Sequence, residues 1–355
     1  MGTRIHTYNL CFLGFGNVNR TLVELLRDRE PDLRSRHGIS FRITGIASRR
    51  LGWLADPNGL DPNACVERAL LPAKSQEASQ EPSTVQTWLA AAHADVLFEA
   101  TSLNVDNGQP AVDHIRAALH HGAHAITANK GPIVHAYREL RDLAAAGCPT
   151  LSRSLRKGGN TRFLFESTVM DGVPIFSFFD QLPVIHLHGF HGILNSTTNV
   201  ILTEMENGLT FDESLKKAQS LGIAETDATH DIDAWDAAVK TAALITVLMD
   251  IPIRLEEISR EGIRNLTAEA VRNAKKEGVP YKLICRAKKE GTEVTATVRP
   301  EQIPLTDPMS QITGTSSYIY FETDIFPGLA ITEENPGLYA TAYGMLADFV
   351  RAVTG

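Results

Sequence analysis

Phe12-Leu13-Gly14-Phe15-Gly16-Asn17-Val18-Asn19 joins an apolar strand to a helix through a glycine turn near the start of the chain. Gly14 permits the tight turn, and Gly16 lets a pyrophosphate approach bare backbone. The following helix, near Arg20 to Leu26, offers unpaired N–H groups to the phosphates, those of Asn17 and Val18 among the first. The ligand this pattern points to is a dinucleotide. Asn19 stands at the third glycine position of Gly-x-Gly-x-x-Gly, where a small residue lets helix and strand pack closely. A plain strand-to-helix turn would share the rest of the pattern, so the surrounding sequence has to decide.

Strand-like runs recur at Tyr8–Leu13, Phe41–Ala47, Val96–Ala100 and His124–Thr127. Helical stretches at Arg20–Leu26, Trp88–His93, Pro110–His121 and Ile133–Ala146 are interleaved with them. That alternation predicts an α/β domain around a parallel sheet, closing near Gly147, with Gly122 and Gly147 as helix stops. The Pro-, Asn-, Asp- and Ser-containing segment from Leu51 to Pro82 reads as an irregular surface loop. Beyond Pro149, Phe163–Val169, Ile175–Phe179 and Ile185–Phe190 read as strands, followed by helices at Thr198–Met205, Phe211–Ser220 and Trp235–Met249. Thr210 and Glu213 form a capping box for the middle helix and Gly222 ends it. A last helix, Thr341–Val350, follows the Pro336-Gly337 break and is placed against the first domain. The expected organisation is a dinucleotide-binding domain over 1–147, a mixed α+β substrate and dimerisation domain over 148–334, and a returning helix in 335–355.

At 355 residues and 43% hydrophobic content the chain can bury a large core. A net charge of −8 argues against a nucleic-acid partner, which needs concentrated positive surface, so a small-molecule substrate is expected. Cys11, Cys65, Cys148 and Cys285 are widely spaced and read as reduced thiols. The N-terminus has no signal-peptide layout, and Leu244–Met249 is too short to cross a bilayer. These features point to the cytoplasm and away from a membrane.

Lys130 follows Thr127-Ala128-Asn129 at the carboxyl end of a strand, the edge outside which open parallel sheets bind ligands. A solvated loop lysine is the bland alternative. Five carboxylates fall between Glu225 and Asp236, with Asp233 a plausible N-cap. Asp236 and Lys240 share a helical face at i, i+4. As an exposed ion pair they would contribute only about 0.3–0.5 kcal/mol. However, from Ala237 to Met249 every residue except Lys240, Thr241 and Thr246 is apolar, so this lysine needs a partner and a cavity. Two lysines and several acids suit an amino-acid substrate and proton transfer to a carbonyl oxygen. His120, His121, His124, His186, His188 and His191 lack the spacing of a catalytic zinc site. Asn195-Ser196-Thr197-Thr198-Asn199 reads as a helix start whose N–H groups can also serve a substrate.

A run of further motifs resembles the homoserine dehydrogenase family. They are Thr101-Ser102, Gly108-Gln-Pro-Ala, His114-Ile-Arg-Ala-Ala-Leu, Gly122-Ala-His and Thr127-Ala-Asn-Lys-Gly-Pro132. The likeness continues through Phe165-Glu-Ser-Thr-Val, Gly172-Val-Pro-Ile, Gly192-Ile-Leu-Asn-Ser-Thr-Thr-Asn and Leu221-Gly-Ile-Ala-Glu to Lys240, and ends in Gly337-x-x-x-Thr341-Ala with Leu346 and Asp348. The resemblance implies a Rossmann-type domain, a homodimer, and NAD(P)H-dependent interconversion of L-aspartate 4-semialdehyde and L-homoserine on the way to threonine and methionine. It implies that Lys240 exchanges a proton with the substrate oxygen, opposite the nicotinamide, and that Lys130 lies beside nicotinamide and substrate. Glu225, Asp231, Asp236 and Thr197 would hold the substrate or its associated water. Thr101, Ser102 and Gly337 would line the cofactor, and Glu166, Val169, Asp171 and Val173 match a loop whose carbonyl oxygens bind sodium in some members.

Two departures stand out. Asn19 replaces the last glycine of the fingerprint, and Asp227-Ala-Thr-His-Asp-Ile-Asp-Ala-Trp-Asp236 stands where the family shows Asp-Pro-Arg-Asp-Asp-x-x-Gly-x-Asp. The altered loop leaves room for a different small hydroxy acid or amino alcohol as substrate, and a non-catalytic NADP-binding sensor is a third reading. No regulatory domain is expected after Gly355 and no kinase before the first domain. The second strand runs into Ser48-Arg49-Arg50 rather than the acid that grips a ribose 2′-OH, which favours NADP over NAD, with Arg49 the choice for a 2′-phosphate.

Overall fold

The computed structural model describes residues 4–70, 84–147 and 160–355. Two units emerge, one of residues up to Pro174 together with 338–355, the other Ile175–Gly337.

In the first unit β1 (His6–Leu13), α1 (Asn17–His37), β2 (Ile39–Ser48), β3 (Gly52–Ala55), α2 (Pro62–Leu70), α3 (Val85–Ala91), β4 (Val96–Glu99), α4 (Ala111–His121), β5 (His124–Thr127), α5 (Gly131–Ala146) and β6 (Phe163–Leu164) follow in order. The strands form one sheet, β3-β2-β1-β4-β5-β6, parallel except for the β2–β3 hairpin. Short apolar strands alternating with helices leave this as the natural solution, because each crossover helix buries one face of the sheet. Phe12 and Phe98 stack at 5.0 Å between ring centres in the middle of the core.

The unit extends past the boundary expected at Gly147, because Phe163 and Leu164 add a sixth strand beside β5. Phe163–Val169 is therefore a two-residue strand followed by a 3₁₀ turn over Glu166–Thr168. The segment expected to be an irregular loop from Leu51 holds β3 and α2 in its described part. Trp88 explains the strand, donating its indole N–H to the Leu54 carbonyl at 2.8 Å and packing edge-on against Trp53. Residues 71–82 of that segment lie outside the described residues. Helix α12 (Leu338–Thr354) belongs to this unit, with Phe349 packed on Tyr8 and Phe98.

In the second unit α6 (Ile175–Asp180), β7 (Leu187–Ile193), α7 (Ser196–Glu206), α8 (Phe211–Ser220), α9 (Thr229–Ile232), α10 (Trp235–Leu248), β8 (Ser259–Arg260), α11 (Ala268–Lys276), β9 (Tyr281–Glu290), β10 (Glu293–Gln302), β11 (Ser317–Thr323) and β12 (Leu329–Glu333) build a mixed sheet, β12-β11-β7-β9-β10-β8. Ile175–Phe179 is a helix and not the expected strand. Its apolar residues are interrupted only by Ser177, a short pattern that fits a buried helix turn as well as a strand, and Ile175 and Phe176 are buried. The capping box of Thr210 and Glu213 is formed as read, with Glu213 Oε2 accepting from Thr210 N at 2.8 Å.

Cys11, Cys65 and Cys285 are buried thiols, and Cys148 lies outside the described residues. Burial pushes the Cys11 thiol up to about 12 and the Cys285 thiol to about 11, which keeps both unreactive at neutral pH. Among the described residues no helix is long and apolar enough to cross a membrane, and no group of His, Cys, Asp and Glu is placed to hold a metal ion.

Asn19 is fully buried and does with hydrogen bonds what the missing glycine does with close packing. Its amide donates to the carbonyls of Gly14 at 2.9 Å, Leu13 at 3.4 Å and Phe98 at 3.5 Å, tying α1 to the ends of β1 and β4. Asn19→Gly, which restores the common fingerprint, is expected to destabilise the protein by about 1–3 kcal/mol, combining lost buried hydrogen bonds with helical glycine. Urea unfolding measures it, and a midpoint equal to or above wild type would show that the amide is not a structural tie.

Candidate active site

Each unit carries one concentration of functional groups. In the first, Gly14 has φ +82°, and a Cβ there would lie 2.5 Å from the Ala100 carbonyl oxygen, so the β1–α1 turn is pressed against the end of β4. Gly16 is the N-cap of α1, with no side-chain cap and no acidic residue in the first turn. A Cβ at Gly16 would meet nothing within 4 Å. Bare backbone, open space and the positive end of a 21-residue helix are what a pyrophosphate requires. Asn17 is exposed and Val18 half-buried in that first turn. Arg49 and Arg50 are exposed in the turn after β2, and Ser48 Oγ accepts from Leu51 N at 3.1 Å to shape it.

Thr101 and Ser102 leave the end of β4, and Lys130 is the N-cap of α5 after β5. All three lie at the carboxyl edge of the sheet. Asn129 links them by donating from Nδ2 to the Thr101 carbonyl at 3.0 Å and accepting at Oδ1 from Gly131 N at 2.9 Å. Gly337 is the last residue of the second unit and is exposed.

In the second unit Lys240 lies on α10 among Ala237, Ala238, Val239, Thr241, Ala242 and Ala243, all buried. Its ammonium donates to the Leu194 carbonyl at 2.7 Å and pairs with Asp236 Oδ2 at 3.0 Å. The two side chains keep 17% and 20% of their surface, shielded from bulk water yet reachable by a small molecule. Asp231 is joined to this pair through Asn195. The Asn195 amide donates to Asp231 Oδ1 at 2.7 Å and to Asp236 Oδ2 at 3.0 Å. Its Oδ1 caps α7 by accepting from Thr198 N at 2.8 Å, and this fixes which face of the amide points at the carboxylates. Thr197 donates its hydroxyl to the Ile223 carbonyl at 3.3 Å and also lies beside Asp231. Desolvation first, then the Asp236 charge, raises the Asp231 carboxyl above the ordinary range.

Glu225 is exposed, its carbonyl accepting from Gln219 at 3.1 Å, and it stands outside the hydrogen-bonded set around Asn195. Asp233 is not the N-cap of α10. Ala234 takes that position in the left-handed region, φ +62°, at the place where the resembling pattern has glycine. A non-glycine residue there costs about 1–2 kcal/mol. The strain is held by a brace from the chain around β8. Arg264 binds both carboxylate oxygens of Asp233 at 2.9 and 3.1 Å, while Arg260 bonds the Asp233 carbonyl and lies 3.6 Å over the Trp235 ring. Gly262 is pressed so closely that a Cβ would sit 2.2 Å from the Ile232 carbonyl. Arginines from elsewhere in the chain thus support a loop that lacks its own.

The four residues matching the sodium loop lie in the first unit, with Glu166 and Val169 buried and Asp171 at φ +46° accepting from the Thr341 hydroxyl at 2.7 Å. Sequence reading missed Asn195 as a site residue, although its capping role was visible. Its second role depends on a contact spanning 36 positions.

Comparison with known proteins agrees with both units. The family model for the homoserine dehydrogenase NAD-binding domain matches residues 14–151, and that for homoserine dehydrogenase matches 174–350. An NAD(+)-dependent homoserine dehydrogenase of Pseudomonas canavaninivorans is 31% identical over 97% of this chain and 96% of its own. The chain belongs to the homoserine dehydrogenase family. A solved protein from Archaeoglobus fulgidus matches 98% of this chain and all of its own with TM-score 0.82 and 26% identity. A hyperthermophilic archaeal homoserine dehydrogenase mutant in complex with NADPH matches 98% of each chain with TM-score 0.77 and 25% identity. The first unit is therefore an NAD(P)-binding domain, and the family is one of oxidoreductases.

Because the folded state raises the Asp231 carboxyl, the native protein holds that proton more tightly than the unfolded chain does. Its contribution to stability is best at low pH and is lost as pH rises from the ordinary aspartate range through the raised value. Asp231→Asn keeps an acceptor for Asn195 and removes the buried charge. Urea unfolding is expected to show the variant more stable than wild type at pH 8, with the difference shrinking toward pH 4. A variant less stable at pH 8 would contradict this reading of the pair.

Proposed function

We propose that the chain interconverts L-homoserine and L-aspartate 4-semialdehyde, with hydride exchanged between a nicotinamide and the substrate's terminal carbon. The observation that carries this reading is the Lys240 ammonium, desolvated on an apolar helix yet reachable, with two carboxylates organised around it by one amide. Lys240 gives a proton to the aldehyde oxygen as hydride arrives and takes it back in oxidation. The carbonyl of Leu194 and the Asp236 carboxylate hold that ammonium in place for the substrate oxygen. Asp231, Asp236 and Thr197 hold the amino-acid end or its water, with Glu225 reaching it from the turn after α8. Lys130 is the proposed second lysine, beside the nicotinamide.

For the cofactor, Gly14, Gly16, Asn17 and Val18 would hold the pyrophosphate, and Thr101, Ser102, Lys130 and Gly337 the nicotinamide half. When bound, the cofactor supplies or accepts the hydride. NADP is the proposed form, because the turn after β2 presents Arg49 and Arg50 and no acid to the ribose. Carbonyl oxygens of Glu166, Val169, Asp171 and Val173 are the proposed ligands of a structural sodium ion. A homodimer in a cytoplasmic setting completes the proposal, the latter supported by the buried thiols of Cys11, Cys65 and Cys285.

The test is a panel of homoserine and related hydroxy acids and amino alcohols, each with NADP and NAD, read by cofactor absorbance. Homoserine with NADP is expected to give the highest kcat/KM. Turnover of another panel member above homoserine would move the activity to a different substrate, and tight NADPH binding with no turnover would support a sensor. Lys240→Ala is expected to lower kcat by about 10²–10⁴-fold while NADPH affinity stays within twofold of wild type. An unchanged kcat would remove Lys240 from the reaction.

A further inference from the structure

Glu99 closes β4 after three buried apolar residues, and its carboxylate is completely buried. A fully desolvated carboxylate at the end of a parallel strand is costly unless its oxygens are satisfied. One oxygen accepts from the Thr101 backbone N–H at 3.0 Å and from the Thr101 hydroxyl. The other accepts from the Thr127 hydroxyl at 2.8 Å. Thr127 Oγ1 in turn accepts from Asn129 N at 2.9 Å, and the Asn129 amide returns to the Thr101 carbonyl at 3.0 Å. The circuit is closed. His114 Nδ1 also stands 3.6 Å from Glu99 Oε1.

The chain leaves β4 and β5 at neighbouring positions, Glu99 opposite Thr127, and from there the two segments run on to Ser102 and Lys130. One further backbone bond, Ala128 N–H to the Glu99 carbonyl at 3.1 Å, continues the pairing, and past it the described bonds between the two segments come from the Asn129 side chain. We propose that Glu99 is a positioning residue for the nicotinamide cofactor, locking the Thr101–Ser102 strip and the Thr127–Lys130 turn into one rigid surface. The inference rests on the cofactor reading above. Glu99 touches neither substrate nor cofactor and acts through the two threonines. An amide in its place still accepts on one side but turns N–H groups toward the other, leaving either Thr101 N or Thr127 Oγ1 without its carboxylate acceptor.

Electrostatics alone predicts the opposite outcome, which makes the test discriminating. Removing a negative charge beside a polyanionic cofactor should tighten binding, whereas loosening the surface should weaken it. Glu99→Gln and Thr127→Val are compared with wild type by equilibrium titration of NADPH fluorescence, alongside KM for homoserine and thermal unfolding. The dissociation constant for NADPH is expected to rise about tenfold in Glu99→Gln and about threefold in Thr127→Val, as charged and neutral hydrogen bonds respectively are lost. KM for homoserine stays within twofold in both. NADPH constants within twofold of wild type in folded variants, or tighter binding in Glu99→Gln, would overturn the role of Glu99. A wild-type protein that fails to bind NADPH would instead overturn the cofactor reading. Should Glu99→Gln fail to fold, Thr127→Val carries the same test on its own arm of the circuit.

Discussion

The candidate site of the second unit depends on holding a largely shielded lysine on a helix that has almost nothing polar to offer it. An ammonium taken out of water without partners would lose its proton or unfold its surroundings. The structure supplies a carbonyl from the end of β7 and a carboxylate one turn earlier on the same helix, and that carboxylate is itself held by Asn195. Each group here is oriented by something other than its electrostatic partner. Asn195 is fixed by capping α7, Asp236 by the start of α10, and that start by a left-handed Ala234 braced by Arg260 and Arg264. The charges are therefore preorganised, which is what proton transfer to a developing alkoxide demands.

The first unit solves a parallel problem with uncharged backbone. Its sheet ends in carbonyls and N–H groups that must be spaced to receive phosphates and a nicotinamide, and side-chain amides do the spacing. Asn19 ties α1 to β1 and β4, and Asn129 ties the exit of β5 to the exit of β4. Each uses one side-chain amide to bridge the ends of neighbouring segments. The exchange of glycine for Asn19 shows that the fingerprint position requires a close link between helix and strand, which steric fit or hydrogen bonding can provide.

Local chemistry was legible in the sequence wherever its partners lie within a few residues. The β1–α1 glycine turn, the Thr210–Glu213 capping box and the Asp236–Lys240 face all read correctly because spacing alone determines them. Long-range contacts were not legible. Arg264 meets Asp233 across 31 positions, so Asp233 read as an N-cap when its carboxylate is committed elsewhere. The strand at Phe163 joins the first sheet because β5 has a free edge, which no periodicity announces. Ile175–Phe179 misled for a simpler reason, since five residues whose apolar run is broken only by Ser177 are too short to show a period that distinguishes strand from helix.

The claim on which the functional account stands is that the Lys240 ammonium itself carries the proton. Chemical rescue tests it most directly. Small primary amines of graded basicity added to Lys240→Ala should restore homoserine oxidation in proportion to amine concentration, with rates that follow amine pKa among amines of equal size. An alanine variant that no amine rescues, alongside a fully active Lys240→Met, would contradict it and leave the lysine a structural cation.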